Sequence, residues 1–187
     1  MSSTTFNRRW KKISRRIRVP LGFLSAIFYF WLAHPTWRSL LLSLVLVVPG
    51  ILLRSYASGH VTKNVQLTTT GPYSYTRNPL YFGSILIAFG FAVAARSLWI
   101  ALVFLVLFLL IYWPVIVDEE EYLRAQFPEY DAYATRVPRL IPRLGRPLPG
   151  AEGKFSFQLY RKHREYNSIL GAVSMYLVLV ARIFLWH

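Results

Sequence analysis

Residues 98–117, LWIALVFLVLFLLIYWPVIV, run for twenty positions without a charge, and Asp118-Glu119-Glu120-Glu121 follows at once. A helical bilayer crossing takes about 20 mostly apolar residues, so this stretch predicts a transmembrane helix, interrupted only by Pro114. The four acids that close it are half of the chain's 8 Asp and Glu. Carboxylates at a helix C-terminus oppose its dipole; the helix is expected to run on through Leu123 to Phe127, which softens that cost, yet acids on a cation-rich face still need a task. Two are open: pairing with Arg77, Arg124 or Arg139, or holding a cationic or hydroxylated ligand.

Composition extends the membrane reading to the whole chain. Of 187 residues, 55% are hydrophobic and only 16% charged, against about 25% charged in soluble domains. Length allows one domain. Residues 40–53, flanked by Trp37 and Arg54, and residues 79–95, where Gly83 and Gly90 permit close helix contact, read as further spans. Residues 19–33 are short and follow a basic stretch, as a signal peptide would. The next residues, His34-Pro35-Thr36, lack a small-residue cleavage pattern, and the segment reads instead as the first arm of a helical hairpin. Residues 166–186 either cross the bilayer or lie on it, with Arg182 snorkelling to water. The expected fold is all-α: a polytopic helical membrane protein with about five transmembrane helices.

Charge sets the expected orientation. The net charge is +14, and seven of the 22 Lys and Arg fall in residues 1–18, three in 54–77 and nine in 124–164. Only Arg38, Arg96 and Arg182 remain for the other side. This bias is the positive-inside pattern with a cytoplasmic N-terminus. It accounts for the basicity through the lipid bilayer as partner, with no nucleic acid required. The chain has no Cys, and its histidines at 34, 60, 163 and 187 never stand four residues apart, so no metal site is expected. The expected organisation is a basic arm at 1–18, a membrane domain at 19–142, and a linker with a C-terminal hydrophobic helix at 143–187.

Between the spans, residues 55–78 are long for a helix connection and end in Gly71-Pro72-Tyr73-Ser74-Tyr75-Thr76-Arg77-Asn78-Pro79-Leu80-Tyr81. Long connectors are disproportionately functional. Asn78 and Pro79 form a good helix start, and the tyrosines suit an interfacial belt. Arg77 beside a helix N-terminus suits a carboxylate ligand. After the acids, Tyr122, Leu123, Phe127, Tyr130, Tyr133, Val137, Leu140 and Ile141 predict an amphipathic interfacial helix that roofs the site. Pro138, Pro142, Pro147 and Pro149 then stop regular structure, and residues 145–154 read as a linker.

Gln66-Leu67, Gly71-Pro72-Tyr73, Arg77-Asn78-Pro79-Leu80-Tyr81-Phe82-Gly83, and Glu119-Glu120 followed by Leu123, Phe127, Tyr130, Tyr133, Val137 and Pro138 resemble a known family over about residues 54–142. It is the integral-membrane methyltransferases related to isoprenylcysteine carboxyl methyltransferase and the phospholipid N-methyltransferases. The resemblance implies a cytoplasm-facing active site that binds S-adenosylmethionine and methylates a lipophilic acceptor, a prenylcysteine carboxylate or a phospholipid amine. It implies that Gln66, Leu67, Thr68 and Tyr73 line the nucleotide and methionine portions of the cofactor. Arg77, Asn78 and Tyr81 would hold its amino-acid end, and Glu119 would accept hydrogen bonds from it. Arg77 and Glu120 are the candidate catalytic residues, Glu120 as the acid nearest an amine acceptor. Two positions depart from the pattern. The motif's usual histidine is Asn78, which cannot titrate, and an arginine expected four residues before the binding glutamate is Val115.

Two other functions fit a helical membrane chain. A nicotinamide-dependent membrane reductase would need cations for the cofactor phosphates, and residues 55–78 offer only Lys63 and Arg77. A non-catalytic relative of the methyltransferases is the other, favoured if Asn78 and Val115 mark a decayed site.

Overall fold

The helix that begins in the charge-free run continues past Val117 through the acidic residues to Gln126, as expected from the sequence. In the computed structural model, which describes residues 28–62, 65–143, 145 and 153–185, the order is α1 (Trp37–Ser58), a 3₁₀ turn (Gly71–Ser74), α2 (Pro79–Ala95), α3 (Leu98–Gln126), α4 (Tyr130–Arg136), α5 (Phe157–Lys162) and α6 (Tyr166–Leu185). Residues 28–32 are also helical. No strand occurs among the described residues. The chain is a helical membrane protein: α1, α3 and α6 are each long and apolar enough to cross a bilayer, and α2, with 17 residues, is a shorter apolar helix. The basic arm 1–18, most of residues 19–33 and most of the linker 145–154 lie outside the described residues.

Pro114 does not interrupt α3. It lacks an N–H and crowds the carbonyl four residues earlier, and the turn before it, Phe108–Tyr112, is π-helical. The extra residue in that turn loosens the hydrogen-bond ladder where the proline would clash.

The tightest packing joins α1 to α2 through glycines. A Cβ on Gly50 would lie 2.8 Å from the Gly83 carbonyl oxygen, and one on Gly83 would lie 2.8 Å from that of Gly50. Farther along, a Cβ on Gly90 would meet Val47 Cγ2 at 2.5 Å. Small residues drive this approach, because lipid offers no hydrophobic gain for helix pairing. Hydroxyls complete the seam: Ser39 donates to the Ala94 carbonyl at 2.8 Å, and Tyr29 to that of Phe91 at 2.9 Å.

Antiparallel connections gather the C-terminal ends of α1 and α3 and the N-terminal ends of α2 and α6 at one end of the bundle. There Arg54 meets Glu165 and Asn78 meets Glu120. Arg182 stands at the other end and does not snorkel. It is 4% exposed, and its Nε donates at 2.6 Å to the Ala33 carbonyl and its Nη2 at 3.2 Å to that of Trp31. The guanidinium thus satisfies carbonyls that helix 28–32 leaves open at its C-terminus.

Candidate functional site

The loop from α1 to α2 is shaped by Gly71, whose φ of 56° lies in the left-handed region and whose missing Cβ leaves room for the His60 ring. The 3₁₀ turn that follows buries Tyr73 and Ser74. Its second half is tied to the segment after α4. The Arg77 N–H donates to the Pro138 carbonyl at 2.9 Å, the Arg143 N–H to that of Tyr75 at 3.0 Å, and the Thr76 hydroxyl to that of Leu140 at 2.8 Å. The expected amphipathic tail is not one helix. Phe127 is extended, the chain turns at Pro128, and α4 has seven residues. Its aromatic positions still do what a roof requires: Phe127, Tyr130, Tyr133 and Val137 form a buried cluster against Leu67 and Leu123.

These elements enclose a cavity of about 400 Å³. Gln66, Leu67, Thr68 and Tyr73 line it from the loop, Arg77, Asn78 and Tyr81 from the start of α2, and Glu119 and Glu120 from α3. All nine residues singled out in the sequence therefore face one space. Tyr130 and Tyr133 line it from the expected roof, and Arg54, Ser84, Tyr112 and Glu165, which the sequence does not single out for the site, line it too. Arg54 had been read as the flank of a span, and Glu165 stands in a basic stretch with no motif around it.

Glu120 is the electrostatic centre. Its side chain is 4% exposed and lies 3.0 Å from Arg139 Nε and 3.5 Å from Arg77 Nη1. Asn78 Nδ2 donates to its Oε1 at 3.0 Å and to the Arg139 carbonyl at 2.9 Å. Asn78 stands at the N-cap of α2 but makes no capping bond. A buried carboxylate is tolerable only when paired and hydrogen-bonded, and here two guanidinium groups and an amide do so. Arg124 takes no part, being paired with Asp131 at 2.7 Å. Glu119, on the exposed side of the same turn, accepts from the Tyr81 hydroxyl at 3.0 Å.

Arg77 is incompletely satisfied. Its Nη1 reaches the Tyr130 hydroxyl only at 3.4 Å, and its buried Nε has no hydrogen-bond partner among the described residues. A buried donor left unmet costs about 1–3 kcal/mol, so this guanidinium is set to receive an acceptor oxygen. Tyr73 and Tyr133 form the phenolic wall, with the Tyr133 hydroxyl donating to the Tyr73 carbonyl at 2.7 Å. Burial, reinforced for Tyr73 by Glu119, holds both phenols well above their ordinary range, and both stay protonated at neutral pH.

A second ion pair lies on the same cavity. Glu165 takes Arg54 with two bonds, Oε1 from Nη2 at 2.8 Å and Oε2 from Nε at 3.2 Å, while Arg54 Nη1 donates to the Leu80 carbonyl at 3.1 Å and to the Ser84 hydroxyl.

A helical membrane bundle with a polar, carboxylate-rich cavity beneath an aromatic cover defines a class, and comparison with known proteins gives it a family. Residues 18–130 match the phospholipid methyltransferase family, and the chain belongs to it. The match starts well before the resemblance read from the motifs and stops short of Pro138. Among relatives, the chain is 36% identical over 138 residues to the cobalt-zinc-cadmium resistance protein CzcN of Cupriavidus metallidurans, covering 68% of this chain and 62% of the relative. It is 34% identical over 122 residues to the nickel-cobalt-cadmium resistance protein NccN of Alcaligenes xylosoxydans xylosoxydans, covering 59% of this chain and 56% of that protein. The chain thus spans about three fifths of the length of these curated relatives. No solved structure matches it.

Proposed function

We propose that the chain transfers a methyl group from S-adenosylmethionine to a lipid or lipidated acceptor at the membrane interface. One observation carries this reading: the buried, unpartnered Nε of Arg77 on a cavity that also presents the Glu119 carboxylate and aromatic faces. A zwitterionic amino-acid end fits such a donor set, its carboxylate on Arg77 and its ammonium on Glu119. Tyr73, Gln66, Leu67 and Thr68 would take the remainder, and tyrosine faces would stabilise a sulfonium by about 0.5–2 kcal/mol. A donor held there would supply an electrophilic methyl, with the bonding electrons of the broken S–CH3 bond returning to sulfur. The chain's own task is alignment and exclusion of water. Glu120, engaged by Arg77, Arg139 and Asn78, acts on this reading as the anchor that orients Arg77. The cavity end of the bundle faces the cytoplasm, with residues 19–142 forming the body of the enzyme.

Calorimetric titration of S-adenosylhomocysteine into the detergent-solubilised chain tests this. Binding that is lost in Arg77→Ala and in Glu119→Ala is expected, and a wild-type chain that binds nothing overturns it. The acceptor is then sought with a labelled methyl donor, comparing lipids of cells with and without the chain. Both are grown with and without cobalt, zinc and cadmium, the metals in a relative's name.

A further inference from the structure

The carbonyls at the C-terminal end of α1 are met by two histidines and by a segment outside the family-matched residues. Such carbonyls have no partner within their own helix. His163 Nδ1 lies 3.0 Å from the Ser58 carbonyl, the Ser156 N–H donates to that of Gly59 at 2.9 Å, and His60 Nδ1 lies 2.9 Å from that of Tyr56. Residues 153–163, with α5 among them, thus form a strap across the end of α1.

His60 makes a second contact of the same kind: its Nε2 lies 3.2 Å from the Gly153 carbonyl. Both ring nitrogens therefore face oxygens that can only accept. A neutral imidazole carries one N–H and meets one of them, whereas the imidazolium donates to both. The residue is 6% exposed, so a nitrogen left over has little access to water. Two glycines make the fit. A Cβ on Gly71 would lie 2.7 Å from the ring, and one on Gly153 would lie 2.6 Å from Thr70 Cβ and 3.2 Å from the ring.

The titratable groups on the surrounding elements are few. Tyr56 of α1 meets the His60 ring edge-on, with centroids 4.5 Å apart. On the strap, Phe155 separates the ring from Tyr160, Lys154 is exposed, and His163 is held on Ser58. The loop presents Thr70 and Gly71, which do not titrate. Among the described residues no carboxylate pairs with His60.

This clasp reaches the cavity by a short route. Val61 and Thr62, the residues after His60, line the cavity, and the Thr62 N–H donates to the Thr68 hydroxyl at 3.4 Å. Thr70, under Gly153, stands between the cavity residues Thr68 and Tyr73. Building on the methyl-transfer reading, we infer that His60 is a positioning residue whose proton clasps the strap onto the donor-binding loop, so that donor affinity falls as pH rises. The clasped state holds a proton that the open state releases, so raising pH through the imidazole range favours opening.

The test uses the full chain in detergent, isotope-labelled on the histidine ring nitrogens and titrated without ligand from about pH 5.5 to about pH 8. The His60 signals are those lost in His60→Gln. Both His60 nitrogens are expected to carry protons at the acid end. Loss of one should coincide with at least tenfold faster amide exchange in residues 153–160, corrected for the intrinsic rate. The Kd for S-adenosylhomocysteine should rise at least fivefold over the same range. His60→Gln and Gly153→Ala should each show the weaker Kd at both ends, with no pH step. His163→Gln should keep the step, because a neutral ring already satisfies the single carbonyl that His163 meets. A His60 that does not change protonation in this range, exchange that does not follow its titration, or a step that persists in His60→Gln would each overturn the clasp. A wild-type chain that ignores S-adenosylhomocysteine at every pH would instead remove the methyl-transfer reading, and the nitrogen and exchange titrations would still decide the clasp.

Discussion

Asn78 occupies the N-cap of α2, yet both N–H groups of its amide go elsewhere: one to Glu120 Oε1 at 3.0 Å, the other to the Arg139 carbonyl at 2.9 Å. Two donors on a single nitrogen are what an amide supplies and an imidazole does not, since each ring nitrogen carries at most one proton. Restoring the family's histidine should therefore harm this chain. Asn78→His is expected to lower the melting temperature and to weaken S-adenosylhomocysteine at least fivefold, read by thermal denaturation and calorimetry. Affinity equal to wild type would show that the second bond is dispensable.

Glu119 and Glu120 are neighbours with different expected effects. Glu120→Ala leaves the largely buried Arg77 facing no carboxylate, which costs about 3–5 kcal/mol, while Arg139, 38% exposed, can turn to water. Glu119→Ala removes one exposed hydrogen bond to Tyr81 and should cost about 1 kcal/mol or less, while reducing cofactor affinity at least tenfold. Chemical denaturation beside calorimetry separates the two, and equal destabilisation would contradict the assignment.

The glycine seam gives a prediction with its own control. Gly83→Ala drives a methyl against the Gly50 carbonyl at 2.8 Å, and overpacking of this kind costs about 1–3 kcal/mol. Gly171 in α6 has nothing within 4 Å of its missing Cβ. There an alanine should gain about 0.5–1 kcal/mol from helix propensity. Melting temperatures that move together would argue against the seam.

Alkaline pH reports on the phenolic wall. An unfolded chain releases tyrosine protons near pH 10, whereas buried Tyr73 and Tyr133 keep theirs higher. Above that pH the native state binds more protons than the unfolded one, so stability falls as pH rises, and below it these groups contribute no slope. Tyr133→Phe should flatten the decline above pH 10 and cost about 0.5–1.5 kcal/mol at neutral pH through its lost bond to the Tyr73 carbonyl. An unchanged alkaline slope would show that Tyr133 is not the group involved.

Legibility in the sequence followed the range of the interaction. The run 98–117 announced a span by local composition, and Gly83 and Gly90 announced close packing because small residues on a lipid-embedded helix have few other uses. The loop residues and Glu119-Glu120 were found because motif spacing survives in one dimension. Arg54 and Glu165 were not, since 111 residues separate them and neither has a telling neighbour. Asn78 was read as a helix cap because propensity sees only the next few residues, while Glu120 lies 42 positions away. Arg182 was expected in water for the same reason: its carbonyl partners belong to a different helix. The π-helical turn before Pro114 has no sequence mark beyond the proline itself.

The contact between Arg182 and Ala33 spans 149 positions and imposes an order on biogenesis. The earliest described helix has terminal carbonyls that its own neighbourhood does not satisfy, and waits while α1, α2 and α3 are synthesised. Only α6, which follows them, delivers the cation that closes that end. A ribosome halted before residue 182 would leave the first hairpin unsealed, a ready substrate for membrane quality control.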